Sequence, residues 1–169
     1  MTAPKTEIEL PSGRNDRPWE LAAQRLGWVF FVLVTLAALA GLLGHGPLSE
    51  TSARSASGAV MIEYHRFERY HSPTEFLIHL DLAAAKNGEI RLWISQSLLE
   101  QIEIDSIQPE PNATALGPDR QVFLFDAADL RGTTQVILRY LPDIHFGRLN
   151  GQIGIEGADS AEVAFLVYP

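Results

Sequence analysis

The chain has no cysteine. That excludes disulfides, thiolate nucleophiles, cysteine-ligated zinc and iron–sulfur clusters. Basic residues are also scarce, 13 Lys and Arg against 21 Asp and Glu, a formal charge of −8. Binding nucleic acid by neutralising its phosphates needs a basic surface, so nucleic acid is not an expected partner. Charged residues of both signs make up only 20% of the 169 residues, beside 46% hydrophobic ones, a lopsided ratio for a wholly soluble domain. No G-x-S-x-G elbow occurs, and no serine is singled out as a partner for a histidine and an aspartate. No catalytic residue, cofactor or resident metal is therefore assigned.

What is present explains the imbalance. Residues 26–44 read LGWVFFVLVTLAALAGLLG, uncharged and with Thr35 as the polar exception in the middle. At about 1.5 Å per residue, such a helix just crosses a hydrocarbon core of about 30 Å. A buried core helix of that length normally carries a polar stripe, and this one has none. Pro18 and Glu20 suit the first turn of a helix, and no breaker follows, so one continuous helix is expected over 18–44. Ala38-Leu39-Ala40 matches a signal-peptidase pattern, but cleavage there would require an n-region of 25 residues with mixed charge. A retained signal anchor in a lipid bilayer is the favoured reading.

Orientation follows from the basic residues. Lys5, Arg14, Arg17 and Arg25 precede the span, whereas residues 45–64 carry only Arg54. The positive-inside bias leaves the N-terminus cytoplasmic and the rest exported. Four acids balance the four bases of the first 25 residues, so the whole −8 belongs to the exported part. Residues 1–17 read as a disordered cytoplasmic tail and 45–59, rich in Ser, Ala and Gly, as a flexible linker.

From residue 60 onward short β-branched and aromatic runs alternate with turns. Phe76, Ile78, Leu80 and Leu82 alternate with Glu75, His79 and Asp81, the period-2 pattern of a half-buried strand. Asn87-Gly88 tolerates the positive φ of a type I′ turn and predicts a hairpin to a strand over 89–95. A single helical turn is expected within 95–101, a proline-rich loop over 109–118, and strands over 121–125, 135–141, 152–156 and 162–168. Without a second helix long enough for a crossover, pairing should be antiparallel. The expected fold is an all-β, immunoglobulin-like antiparallel β-sandwich over 60–169 on a single N-terminal transmembrane α-helix, with a small Greek-key barrel as the alternative.

Several phrases carry a resemblance: GLLGHGPLS after the span, VMIEYHRFERYHSPTEFLIHL, SLLEQIEIDSIQPEP, and the ending LRYLPDIHFGRLNGQIGIEGADSAEVAFLVYP. Together they resemble an uncharacterised family of proteobacterial single-pass inner-membrane proteins with a small periplasmic β domain. The family is often encoded near a multi-span membrane protein of the YetF type. The resemblance implies an accessory role beside such a partner, and it brings no catalytic residues.

Candidate contact residues fall in three places. Ala37 with Gly41, and Ala40 with Gly44, are small residues four apart, a groove in which another transmembrane helix can pack. His65, Glu68 and His71 form an H-x-x-E-x-x-H spacing. On a helix that spacing could hold a metal, but the alternation of Val60, Ile62 and Tyr64 favours a strand, with His65 and His71 on one polar edge and Glu68 on the other face. Asp143, His145 and Arg148 lie in the loop phrase LPDIHFGR and, with Trp93, could meet a ligand or a partner. The leading expectation is a non-catalytic scaffold that binds a partner membrane protein. The rival is a periplasmic module for a ligand, cation or envelope polymer.

Overall fold

The computed structural model describes residues 18–39, 48–130 and 134–169. Helix α1 runs Pro18–Leu39, 22 residues. Leu26, Phe30, Phe31, Leu33, Leu36 and Leu39 point to different sides of it, and all are exposed. A helix that is apolar all round without a protein interior to enter has the composition of a membrane span. Its polar exception is satisfied locally: the Thr35 hydroxyl donates to the Phe31 carbonyl at 2.8 Å. One N-terminal helix is thus long and apolar enough to cross a membrane. Of the small residues proposed for helix packing, Ala37 lies on α1, whereas Ala40, Gly41 and Gly44 lie outside the described residues.

The β domain is an immunoglobulin-like antiparallel sandwich of two sheets. Among the described residues its strands are β1 (Glu50–Arg54), β2 (Val60–His65), β3 (Phe67–Arg69), β4 (Thr74–Leu80), β5 (Glu89–Ser95), β6 (Ile102–Gln108), β7 (Ala113–Leu116), β8 (Arg120–Asp126), β9 (Gln135–Pro142), β10 (Gly147–Ile155) and β11 (Ser160–Tyr168). The first sheet runs β1-β2-β4-β9-β6 and the second β3-β11-β10-β5-β8-β7. Every pairing is antiparallel except that of β3 with β11. Strict alternation drives the packing: along β4, Thr74, Phe76, Ile78 and Leu80 turn inward and the residues between them outward. The two inner faces close on Phe76, Tyr140, Phe125, Phe165, Ile153 and their neighbours. Phe76 and Tyr140 stack at 4.3 Å between ring centroids, with Phe165 edge-on to Phe76 at 5.9 Å. The separate hydrogen-bonded sheets distinguish this from the barrel alternative.

Four local expectations are revised. The stretch read as linker contains β1, which pairs with β2 from Glu50↔His65 to Arg54↔Met61. Its small polar composition is that of an edge strand: Ala53 alone packs on the core, and main-chain bonds such as Ser55 N–H to Val60 C=O at 2.9 Å hold the rest. The loop expected over 109–118 contains β7, again an edge strand with no buried residue. Asn87 and Gly88 do adopt positive φ, 55° and 82°, but the turn closes only a Lys86↔Glu89 bridge. Strands β4 and β5 belong to different sheets, because a 3-10 turn at Leu82–Ala84 carries the chain across the core edge first. Finally, the run expected as one strand through His65 and His71 breaks at Arg66. Its N–H donates to Ser49 C=O, just ahead of β1 of the first sheet, at 2.7 Å, and its C=O accepts from Leu166 N–H in the second sheet at 2.8 Å. His65 and His71 therefore do not share an edge.

The single helical turn expected near residue 97 is α2 (Gln96–Leu99), which lays Leu98 over β10. The site beneath it is Gly151, where an added Cβ would collide with the Leu98 Cβ. Both elements are fixed in the core, so the clash cannot relax cheaply. The expected outcome for Gly151→Ala is a loss of about 1–3 kcal/mol, typical of overpacking a tight site, read as a lower denaturant midpoint with an unchanged slope.

Candidate functional site

Two loops meet at one end of the sandwich. The chain leaving β3 is pinned by Tyr70 N–H to Tyr168 C=O at 2.8 Å and by His71 N–H to Pro142 C=O at 3.1 Å. His71 takes a left-handed backbone, φ 51°, a conformation uncommon outside glycine and asparagine. That bend swings its ring back onto Tyr70. From the other side, the loop after β9 brings in His145. The Tyr70 ring then lies between two imidazoles, 4.3 Å from His71 and 4.1 Å from His145, each tilted by 37°. His71 Nε2 is 3.2 Å from Asp143 Oδ1, and Asp143 N–H is tied to Gln101 C=O at 2.9 Å. Next in sequence, Phe146 stands 71% exposed. An aromatic side chain left in water at the tip of an anchored loop is a typical contact residue.

Three of the six candidate surface residues, His71, Asp143 and His145, are thus brought together. They gather on Tyr70, which the sequence reading passed over. The signal was the R-Y-H-S-P phrase, an aromatic and an imidazole before a proline-ended turn. The other three lie elsewhere. Arg148 is exposed on β10 opposite Leu166 and forms no ion pair among the described residues.

His65 faces Glu50 on the outer side of the first sheet, in an open groove of about 540 Å3 floored by Met61 and Leu77. Two of the acids of that groove are already met by basic groups: Glu63 lies 3.3 Å from His79 Nε2 and Glu75 lies 3.5 Å from Arg139 Nε. Among the described residues, no three His, Asp or Glu side chains converge as a metal set would.

Trp93 is no open contact surface. It is only 8% exposed, lying flat on Gly154, where a Cβ would come within 2.9 Å of the indole. The Arg120 guanidinium covers its ring at 4.4 Å, and Asp119 grips Arg120 through two bonds of 3.0 and 2.9 Å. That hydrogen-bonded guanidinium holds the Asp119 carboxyl below the usual carboxylate range.

Beneath the loop cluster lies a buried carboxyl. Glu68 sits on β3 at 4% exposure, and its Oε1 accepts a 2.8 Å hydrogen bond from Thr74 Oγ1. Burial pushes its pKa up to about 7, against the smaller downward pull of that bond. Tyr140, across the ladder from Thr74, is fully buried beside it. Its phenol is pushed well above the ordinary tyrosine range, first by burial and then by the Glu68 charge. These groups are closed off from solvent, so they can store a proton but cannot meet a substrate. The H-x-x-E-x-x-H spacing thus divides into a groove residue, a core residue and a loop residue.

The carboxyl makes stability depend on pH with a definite sign. The folded pKa of about 7 lies above the unfolded 4.5, so the folded state holds its proton more tightly. The resulting stabilisation is complete below pH 4.5, is lost as pH rises toward 7, and stays lost above it; the span is at most about 3 kcal/mol. Glu68→Gln keeps the acceptor for Thr74 and removes the charge. It is expected to leave the melting temperature near pH 4.5 unchanged and to raise it at pH 8, measured by thermal unfolding of the full chain in detergent.

No family model matches the chain. No curated protein matches it either. Among solved structures, it is similar to a cohesin module from a family 33 glycoside hydrolase of Clostridium perfringens, at 11% identity and a TM-score of 0.39, over 70% of this chain and 98% of that one. The sandwich architecture rests on the strand pairing described above, not on this likeness.

Proposed function

We propose that the protein is a non-catalytic accessory or scaffold protein of the bacterial inner membrane. Helix α1 anchors it with the N-terminus in the cytoplasm, the β-sandwich stands in the periplasm, and the chain docks on a multi-span membrane protein. The observation that carries this reading is α1 itself, which from Leu26 to Leu39 carries no charge and exposes its large apolar side chains on every side. The scarcity of basic residues after the span supports the orientation. The Tyr70 cluster with Phe146 supplies the contact surface on the periplasmic side, and Ala37 belongs to the small-residue face of the helix. The role agrees with the resemblance of the sequence to single-pass inner-membrane proteins found beside YetF-type partners.

A second reading, a periplasmic ligand-binding module, draws on the groove beside His65. It predicts a thermal shift of the full chain with divalent cations or envelope sugars. The accessory reading predicts instead that tagged full-length protein, purified in mild detergent and identified by mass spectrometry, brings down one recurrent multi-span protein. Phe146→Asp should lower its recovery without changing the unfolding temperature. Repeated purification of the chain alone would overturn the accessory role.

A further inference from the structure

The two sheets expose four edge strands, and three of them are guarded. Strand β1 carries Glu50 and Arg54. Strand β6 carries Glu103 and Asp105 and is interrupted by a register shift between Ile104 and Ser106. Strand β3 has only three residues, and its exposed one is Arg69. Charges, bulges and short length are the usual defences of an unpaired edge. Strand β7 differs: Ala113-Thr114-Ala115-Leu116 has no charge, no proline and no bulge, and all four residues are exposed, Leu116 at 82%.

The free groups of β7 can be named. Gly117 N–H donates to Arg120 C=O at 2.8 Å. In an antiparallel ladder the bonding pairs alternate, so Ala115 and Ala113 also turn toward β8 while Thr114 and Leu116 turn their N–H and C=O groups outward. Two outward residues flanking one inward residue match their own image under a two-fold axis through Ala115. Thr114 of one copy then pairs with Leu116 of the other, and Leu116 with Thr114, giving about four main-chain hydrogen bonds.

We propose that β7 is a self-pairing edge, and that two copies of this chain join there into one continuous sheet. Charge favours a second copy as the occupant. The exported part carries the whole −8, so two copies repel at most surfaces, and β7 is a strip along which they approach without facing like charges. The interface is small, so it is weak in dilute detergent and gains from confinement of both anchors to one bilayer, which rests on the membrane reading of α1.

Because the chain lacks cysteine, one introduced thiol is a clean reporter. In the paired arrangement Ala115 faces its counterpart at about 4.5 Å between Cα atoms, inside the disulfide range. Full-length Ala115→Cys, reconstituted in phosphatidylcholine vesicles and treated with diamide, should give a covalent dimer. Ala56→Cys, on the exposed turn after β1, should not. Thr114→Pro removes an outward N–H and Leu116→Lys places a charge on the strip; each, combined with Ala115→Cys, should abolish the cross-link while leaving thermal unfolding unchanged. The proposal is overturned if Ala115→Cys stays monomeric or if the cross-link survives both second substitutions.

Discussion

The backbone of one residue organises the domain. Arg66 donates its N–H to Ser49, just ahead of one sheet, and receives a bond from the other sheet on its C=O, so the chain changes layer there without leaving either backbone group unpaired. Buried or half-buried main-chain groups must find partners, and few routes satisfy both at a sheet corner. From that switch follow the parallel seating of β3 on β11, the inward turn of Glu68, and the positions of Tyr70 and His71 against Tyr168 and Pro142. The core and the loop cluster are thus consequences of one corner.

The corner also explains why a carboxyl sits in the core. β3 is only three residues long, and its alternation alone sends Glu68 inward between Phe67 and Arg69. Thr74, at the start of β4, provides a hydroxyl, but among the described residues no cation accompanies the acid. Burial without a counter-charge is relieved by holding a proton, which is the direction of the Glu68 shift. The domain has no disulfide to compensate for the strain of an ionised Glu68. Its stability rests on the two packed faces, and on tight fits such as Leu98 over Gly151 and Trp93 over Gly154.

Legibility in the sequence followed burial. Strands whose inner face is apolar, such as β4, β9 and β11, show period-2 patterns that need no knowledge of their neighbours. Edge strands lack that signal, since β1 buries almost nothing and β7 nothing, so their Ser, Thr and Ala residues look like linker or loop. The Asn87-Gly88 turn and the strands on either side of it were readable and the failure of those strands to pair was not, because turn and strand patterns are local and sheet membership is not. The candidate site was half legible: Asp143 and His145 were visible as polar loop residues and His71 as part of a polar strand edge, while Tyr70, the ring that unites them, looked like ordinary strand sequence.

The sequence by itself determined what depends on neighbours a few residues apart: an uncharged run long enough for a membrane, an acidic stretch after it, and alternating strands that must pair into sheets. Only the tertiary structure decided which edges stay open, where the chain crosses between layers, and that Glu68 of a metal-like spacing is a core residue while His71 belongs to a loop cluster. The reason is the range of the forces. Hydrophobic period and charge are written along the chain, whereas a free edge or a buried carboxyl exists only once hydrogen bonds between distant segments have closed the two sheets over one core.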